Sequence, residues 1–97
     1  MVTALRALAD PGRQRILELV RSEERSAGEI AAQLPVTWPA VSQHLRVLKT
    51  AGLVSERREG TRRYYRARPE GLAEVRAFLD GFWDDKLQAL KREVESG

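Results

Sequence analysis

Helix start and stop signals crowd the middle of the chain, and their spacing leaves few folds open. Ser26-Ala27-Gly28-Glu29 fits a capping box, a serine N-cap with glutamate three residues on. The helix it opens, about Ala27 to Gln33, uses Ile30, Ala31 and Leu34 as its core side, and Pro35 closes it. Thr37 caps a second helix, Trp38 to about Thr50, with Pro39 tolerated in the first turn. Gly52 stops that helix where a left-handed C-cap fits. Leu53 to Arg58 and Arg62 to Ala67, around Glu59-Gly60-Thr61, read as a β-hairpin that Pro69 ends.

The flanks are helical. A short helix spans about Val2 to Ala9, with Leu5 and Leu8 on one side. Asp10-Pro11 starts another, to about Arg21, whose Ile16, Leu17, Leu19 and Val20 form a broad apolar face. Pro69 opens the last helix, to about Glu95. Its stripe of Leu72, Val75, Leu79, Phe82, Trp83, Leu87, Leu90 and Val94 suits an amphipathic or coiled-coil-like helix. The expected class is mainly α with a small β-hairpin: a winged helix–turn–helix of five helices plus a two-stranded wing. At 97 residues, 1–97 form one domain.

So small a core is marginal alone, and the last helix carries more apolar surface than one copy covers easily. A homodimer is therefore expected, clasped by helices 2–9 and 70–95 through Leu5, Leu8, Leu72, Val75, Leu79, Phe82, Trp83, Leu87 and Leu90. The alternative is that this helix packs across its own domain, and the compromise is that it does both. A twofold pair would set two reading helices about 34 Å apart, one turn of DNA.

The chain has no cysteine and one histidine. That removes disulfides, cysteine zinc sites, cysteine nucleophiles and imidazole clusters, so no metal site and no cofactor are expected. Too few convergent acid, base and metal groups remain to build an enzyme. No apolar run approaches the roughly 20 residues of a membrane helix, and no signal peptide is legible. A soluble, cytoplasmic protein without membrane contact is expected.

Charge is uneven. Residues 1–37 net zero, residues 38–68 net +6 and residues 69–97 net −3. A basic segment inside a near-neutral chain is the footprint of phosphate binding, although a solvated basic face gives the same sum. On a helical wheel, Val41, Leu45 and Leu48 face the core, while Pro39, Gln43, Arg46, Val47 and Thr50 lie opposite. Glutamine suits adenine, arginine suits guanine, and no acidic residue lies between Trp38 and Val54 to repel a phosphate. The candidate contacts with double-stranded DNA are Thr37, Trp38, Pro39, Ser42, Gln43 and Arg46. Trp38 is balanced between DNA contact and a staple packing the turn.

Arg57, Arg58, Arg62 and Arg63 flank the hairpin turn, and strand alternation keeps all four from pointing one way. Arg58, Arg62 and Arg63 are the wing candidates for phosphate or minor groove. Of Tyr64 and Tyr65, one faces the core and one is half-exposed. His44 reads as a packing or hydrogen-bonding residue, and Asp84-Asp85 as a solvated face.

Several runs now align with a known pattern: Leu8-Ala9-Asp10-Pro11, Arg13-Gln14-Arg15-Ile16-Leu17, Pro39-Ala40-Val41-Ser42-Gln43-His44-Leu45, Ala51-Gly52-Leu53-Val54 and Glu59-Gly60-Thr61-Arg62-Arg63-Tyr64-Tyr65-Arg66. The chain resembles the ArsR family of winged-helix bacterial repressors over nearly its whole length. The resemblance implies a homodimer on a palindromic operator, with the first and last helices as the interface. Metal-sensing members place cysteines before the recognition helix, where this chain reads Arg25-Ser26-Ala27-Gly28-Glu29-Ile30, or histidines on the last helix, which here has none. The resemblance is thus to a metal-independent subgroup, with no effector specified. The competing reading is a winged-helix protein–protein interaction module without operator specificity.

Overall fold

The computed structural model describes residues 1–96, with the side chains of 1–82 and 88–95. Five helices and three strands follow in order: α1 Val2–Leu8, α2 Pro11–Leu19, β1 Arg25–Ser26, α3 Ala27–Ala32, α4 Trp38–Thr50, β2 Val54–Glu59, β3 Arg62–Ala67 and α5 Pro69–Ser96. The local start signals act as the sequence indicates. Asp10 Oδ2 accepts the Arg13 backbone N–H at 3.1 Å, Ser26 Oγ that of Glu29 at 3.1 Å, and Thr37 Oγ1 that of Ala40 at 3.3 Å.

The wing is larger than the expected two-stranded hairpin. Arg25 and Ser26 pair antiparallel with Tyr65 and Tyr64, so the sheet order is β1-β3-β2. Two residues carry no periodicity, so β1 exists only through its partner. It ties the N-cap of α3 to the wing. Helix α2 stops at Leu19 rather than near Arg21, because the Val20 carbonyl is taken by the Ala67 N–H at 3.0 Å.

The core lies where α1–α4 meet the base of the wing. Ile16, Val20, Ile30, Val41, Leu48, Leu53 and Val54 are its fully buried side chains. Burial of each aliphatic side chain contributes about 1.5–3 kcal/mol. Val47, on the outward side of the wheel, instead packs half-buried against this cluster. Leu5, Leu8 and Leu72 also lean on it, and Val75 is buried in it.

Helix α5 starts on the core and then leaves it. Gly71, in its first turn, lies so close to Gly52 that a Cβ there would overlap the Gly52 carbonyl. Gly52 itself has φ +75°, the left-handed stop after α4. Beyond Val75, Phe78, Leu79, Phe82, Leu90 and Val94 are exposed. The molecule measures 63 × 24 × 22 Å, its long axis reflecting a helix of 28 residues, about 42 Å at 1.5 Å per residue. Trp83 and Leu87, two of the expected interface residues, lie outside the described side chains.

Candidate nucleic-acid interface

Helix α4 is oriented by what it buries. Val41, Leu45 and Leu48 point inward, which turns Thr37, Trp38, Pro39, Ser42, Gln43 and Arg46 out to solvent. Trp38 is 55% exposed, so its indole is not consumed as a packing staple. Arg46 has no ion-pair partner among the described residues.

His44, on the other flank of α4, is a structural link. The Arg13 guanidinium donates to the Ala7 carbonyl at 2.7 Å and the Arg6 carbonyl at 3.1 Å, satisfying the end of α1. Its Nη1 lies 3.4 Å from His44 Nδ1. The His44 Nε2 lies 3.7 Å from Asp10 Oδ2. The Asp10 carboxyl is held below its ordinary range, chiefly by the Arg13 backbone N–H. These contacts fasten α4 to the α1–α2 junction.

The wing turns on Gly60 and Thr61. Glu59 pairs with Arg62 across a two-residue loop, and only Gly60 has positive φ, +62°, as a type II′ turn demands. Strand alternation then sorts the side chains. Val54–Ala67, Glu56–Tyr65 and Arg58–Arg63 share the face toward the core, while Arg57–Tyr64 and Glu59–Arg62 share the other. Tyr65 is buried and Tyr64 half-buried.

Charge on the wing is unequal in a way the sequence hides. Glu24 accepts from Arg57 Nη2 at 2.6 Å and Nε at 3.0 Å, and Glu59 accepts from Nη1 at 3.0 Å. The Arg57 guanidinium also lies 4.6 Å from the Tyr64 ring centroid. The Glu24 carboxyl is held low chiefly by its bond from Arg57. Arg58 donates from Nε to Glu56 at 3.1 Å. Arg62 and Arg63, at the tip, have no ion-pair partner among the described residues. Sequence reasoning placed Arg58, Arg62 and Arg63 on one footing and missed Glu24, Glu56 and Lys49. The i, i+2 spacing of Glu56 and Arg58 was the one local signal available.

A groove of about 690 Å³ runs between the start of α4 and the wing tip. Trp38 and Ser42 line one wall, and Thr61, Arg62 and Arg63 the other. The start of α4, through Trp38 and Ser42, and the two wing-tip guanidiniums therefore border one concavity, which Ser26 to Glu29 also line; Gln43 and Arg46 lie outside its lining.

Comparison with known proteins agrees with this arrangement. Residues 10–56 match the family described as bacterial regulatory protein, arsR family. The chain is 48% identical to the HTH-type transcriptional regulator Rv2034 of Mycobacterium tuberculosis, over 96% of this chain and 87% of that one. It is 37% identical to the transcriptional repressor SdpR of Bacillus subtilis, over 67% of this chain and 72% of that one. It superposes with a TM-score of 0.69, at 37% identity and covering 87% of this chain and 78% of the other, on the homodimeric winged helix–turn–helix DNA-binding domain of a possible ArsR-family regulator from Mycobacterium bovis.

Proposed function

The chain belongs to the ArsR family of bacterial regulatory proteins, a winged helix–turn–helix family of transcriptional regulators, and from that premise we propose that it is a homodimeric repressor reading a palindromic operator. The observation that carries this reading is the continuity of one exposed surface. The start of the exposed α4 face, at Trp38 and Ser42, borders the same groove as Arg62 and Arg63, which have no ion-pair partner among the described residues.

In this reading α4 enters the major groove. Gln43 reads adenine and Arg46 guanine, each such bidentate pair contributing about 1–3 kcal/mol of discrimination. Thr37, Trp38, Pro39 and Ser42 contact neighbouring base edges and phosphates. Arg62 and Arg63 take the phosphates or minor groove beside the wing, with Arg58 behind them. The whole chain, residues 1–97, acts as a single domain. Its partner is a second copy, docked through Leu5, Leu8 and Leu72 near the core and Leu79, Phe82 and Leu90 along α5. Bound in the cytoplasm across a promoter, the pair excludes polymerase.

Operator selection from random duplex DNA with the purified full chain tests this. Enriched sites should be twofold symmetric, with half-sites about one helical turn apart. A pool that stays unenriched would overturn the reading and leave a protein-interaction module in its place.

A further inference from the structure

We propose that Glu56 is a built-in competitor for DNA phosphate, holding Lys49 and Arg58 so that binding to DNA of arbitrary sequence is kept weak. The proposal rests on the DNA-binding reading above.

Glu56 lies opposite Tyr65 on the core-facing side of the wing, next to the buried Val54–Ala67 pair. Only 9% of its side-chain surface is exposed. Its Oε1 accepts from Arg58 Nε at 3.1 Å; its Oε2 accepts from the Tyr65 hydroxyl at 3.0 Å and from Lys49 Nζ at 3.4 Å. Three elements thus converge on one carboxylate: the end of α4 and both long strands of the wing.

The two ends of this cluster differ. Tyr65 is buried and anchors the carboxylate, whereas the side chains of Lys49 and Arg58 are 53% and 66% exposed. The anion is fixed; the cations are long, flexible and at the surface. Burial opposes ionisation of Glu56, but bonds from Arg58, Tyr65 and Lys49 outweigh it and hold the carboxyl below its ordinary range. The negative charge therefore persists at neutral pH.

A plain stabilising ion pair does not account for the layout. The exposure of Lys49 and Arg58 limits what their pairs add to stability, and Arg58 stands directly opposite Arg63, a like-charge pairing. Each cation that must leave a carboxylate before meeting a phosphate gives up part of its counterion-release gain. The cost falls equally on every DNA sequence. Bases read by Gln43 and Arg46 add to a cognate site only, so a penalty on the phosphate contribution lowers background occupancy while the base-specific increment stays.

The test is an anisotropy titration of the full chain against a random duplex and a selected operator over a range of KCl. Glu56→Gln keeps the size and the Tyr65 contact but removes the charge. Its affinity for random duplex should rise at least about threefold and its salt slope steepen by about one to two, at roughly 0.9 per phosphate contact. Affinity for the operator should rise by the same factor, leaving the ratio of operator to random affinity unchanged, because the phosphate contribution is common to both. Glu56→Asp, which keeps the charge, should retain the wild-type slope. Equal weakening on both duplexes, or an unchanged slope in Glu56→Gln, overturns the proposal. A wild-type protein with no salt-dependent binding to any duplex overturns the DNA reading itself. Should Glu56→Gln not fold, the Arg58 Nε–H resonance of the wild type reports the same exchange: it should shift on addition of random duplex, and a static resonance refutes the competition.

Discussion

Arg62 and Arg58 stand on the same wing in different electrostatic company. Arg62 has no ion-pair partner among the described residues, whereas Arg58 is bonded to Glu56. Arg57 is held between Glu24 and Glu59. Arg62→Ala should therefore weaken binding to all duplexes and flatten the salt slope by about one unit, and Arg58→Ala should do less of both. Equal losses in a salt-series titration would contradict this. Gln43→Ala and Arg46→Ala should act differently, costing about 1–3 kcal/mol of discrimination with little change in slope. Competition between operator and random duplex measures it. His44 was legible in the sequence as a packing or hydrogen-bonding residue; its partners, Arg13 and Asp10, were not, because the Arg13 contact spans 31 positions.

At the scale of elements, the wing and α5 are held by backbone as much as by side chains. The seating of α5 depends on Gly71 lying against the Gly52 carbonyl. Gly71→Ala should destabilise the protein by about 1–3 kcal/mol, the range for forcing extra atoms into a packed contact. Denaturant unfolding would show it, and an unchanged midpoint would mean that α5 shifts freely. Acid should loosen the same framework. Asp10 caps α2, while Glu24 and Glu56 bind the wing; all three have carboxyls held below their ordinary values, 3.8 for the aspartate and 4.5 for the glutamates. A lowered folded-state pKa gives stability that is full above the ordinary value and lost as pH falls through the lowered one. The melting temperature should thus decline below about pH 4.5, and Glu56→Gln should soften that decline. A melting temperature flat from pH 5 to pH 3 would speak against these contacts. The hairpin and helix starts were readable because caps and turns act over two to four residues. Strand β1 was not, since two residues become a strand only when β3 arrives beside them.

For the molecule as a whole, the unresolved demand is α5. Past Val75 its described apolar side chains face solvent in a single copy, with Phe82 64% exposed and packed edge-on to Phe78, ring centroids 5.2 Å apart. If a second copy covers this face, Phe78→Glu with Phe82→Glu should give a monomer by sedimentation, retain helical circular dichroism and lose most operator affinity, since each half-site then binds alone. A double variant that stays dimeric would place the interface elsewhere. Val75 stood in the expected interface stripe, yet it is buried within its own protomer. The stripe was read correctly as apolar, but periodicity does not say which apolar partner lies opposite.

Local chemistry is what the amino-acid order settled alone: where helices begin, which side of α4 faces inward, where the chain turns back at Gly60. Those outcomes depend on groups a few residues apart, and any compact arrangement would honour them. The division of the arginines into free and restrained was settled only by folding. Glu24 meets Arg57 across 33 positions, and Glu56 meets Lys49 only because the wing packs beside the end of α4. An ion pair forms at a few ångströms, and distance in space between residues far apart in the chain is a property of the fold.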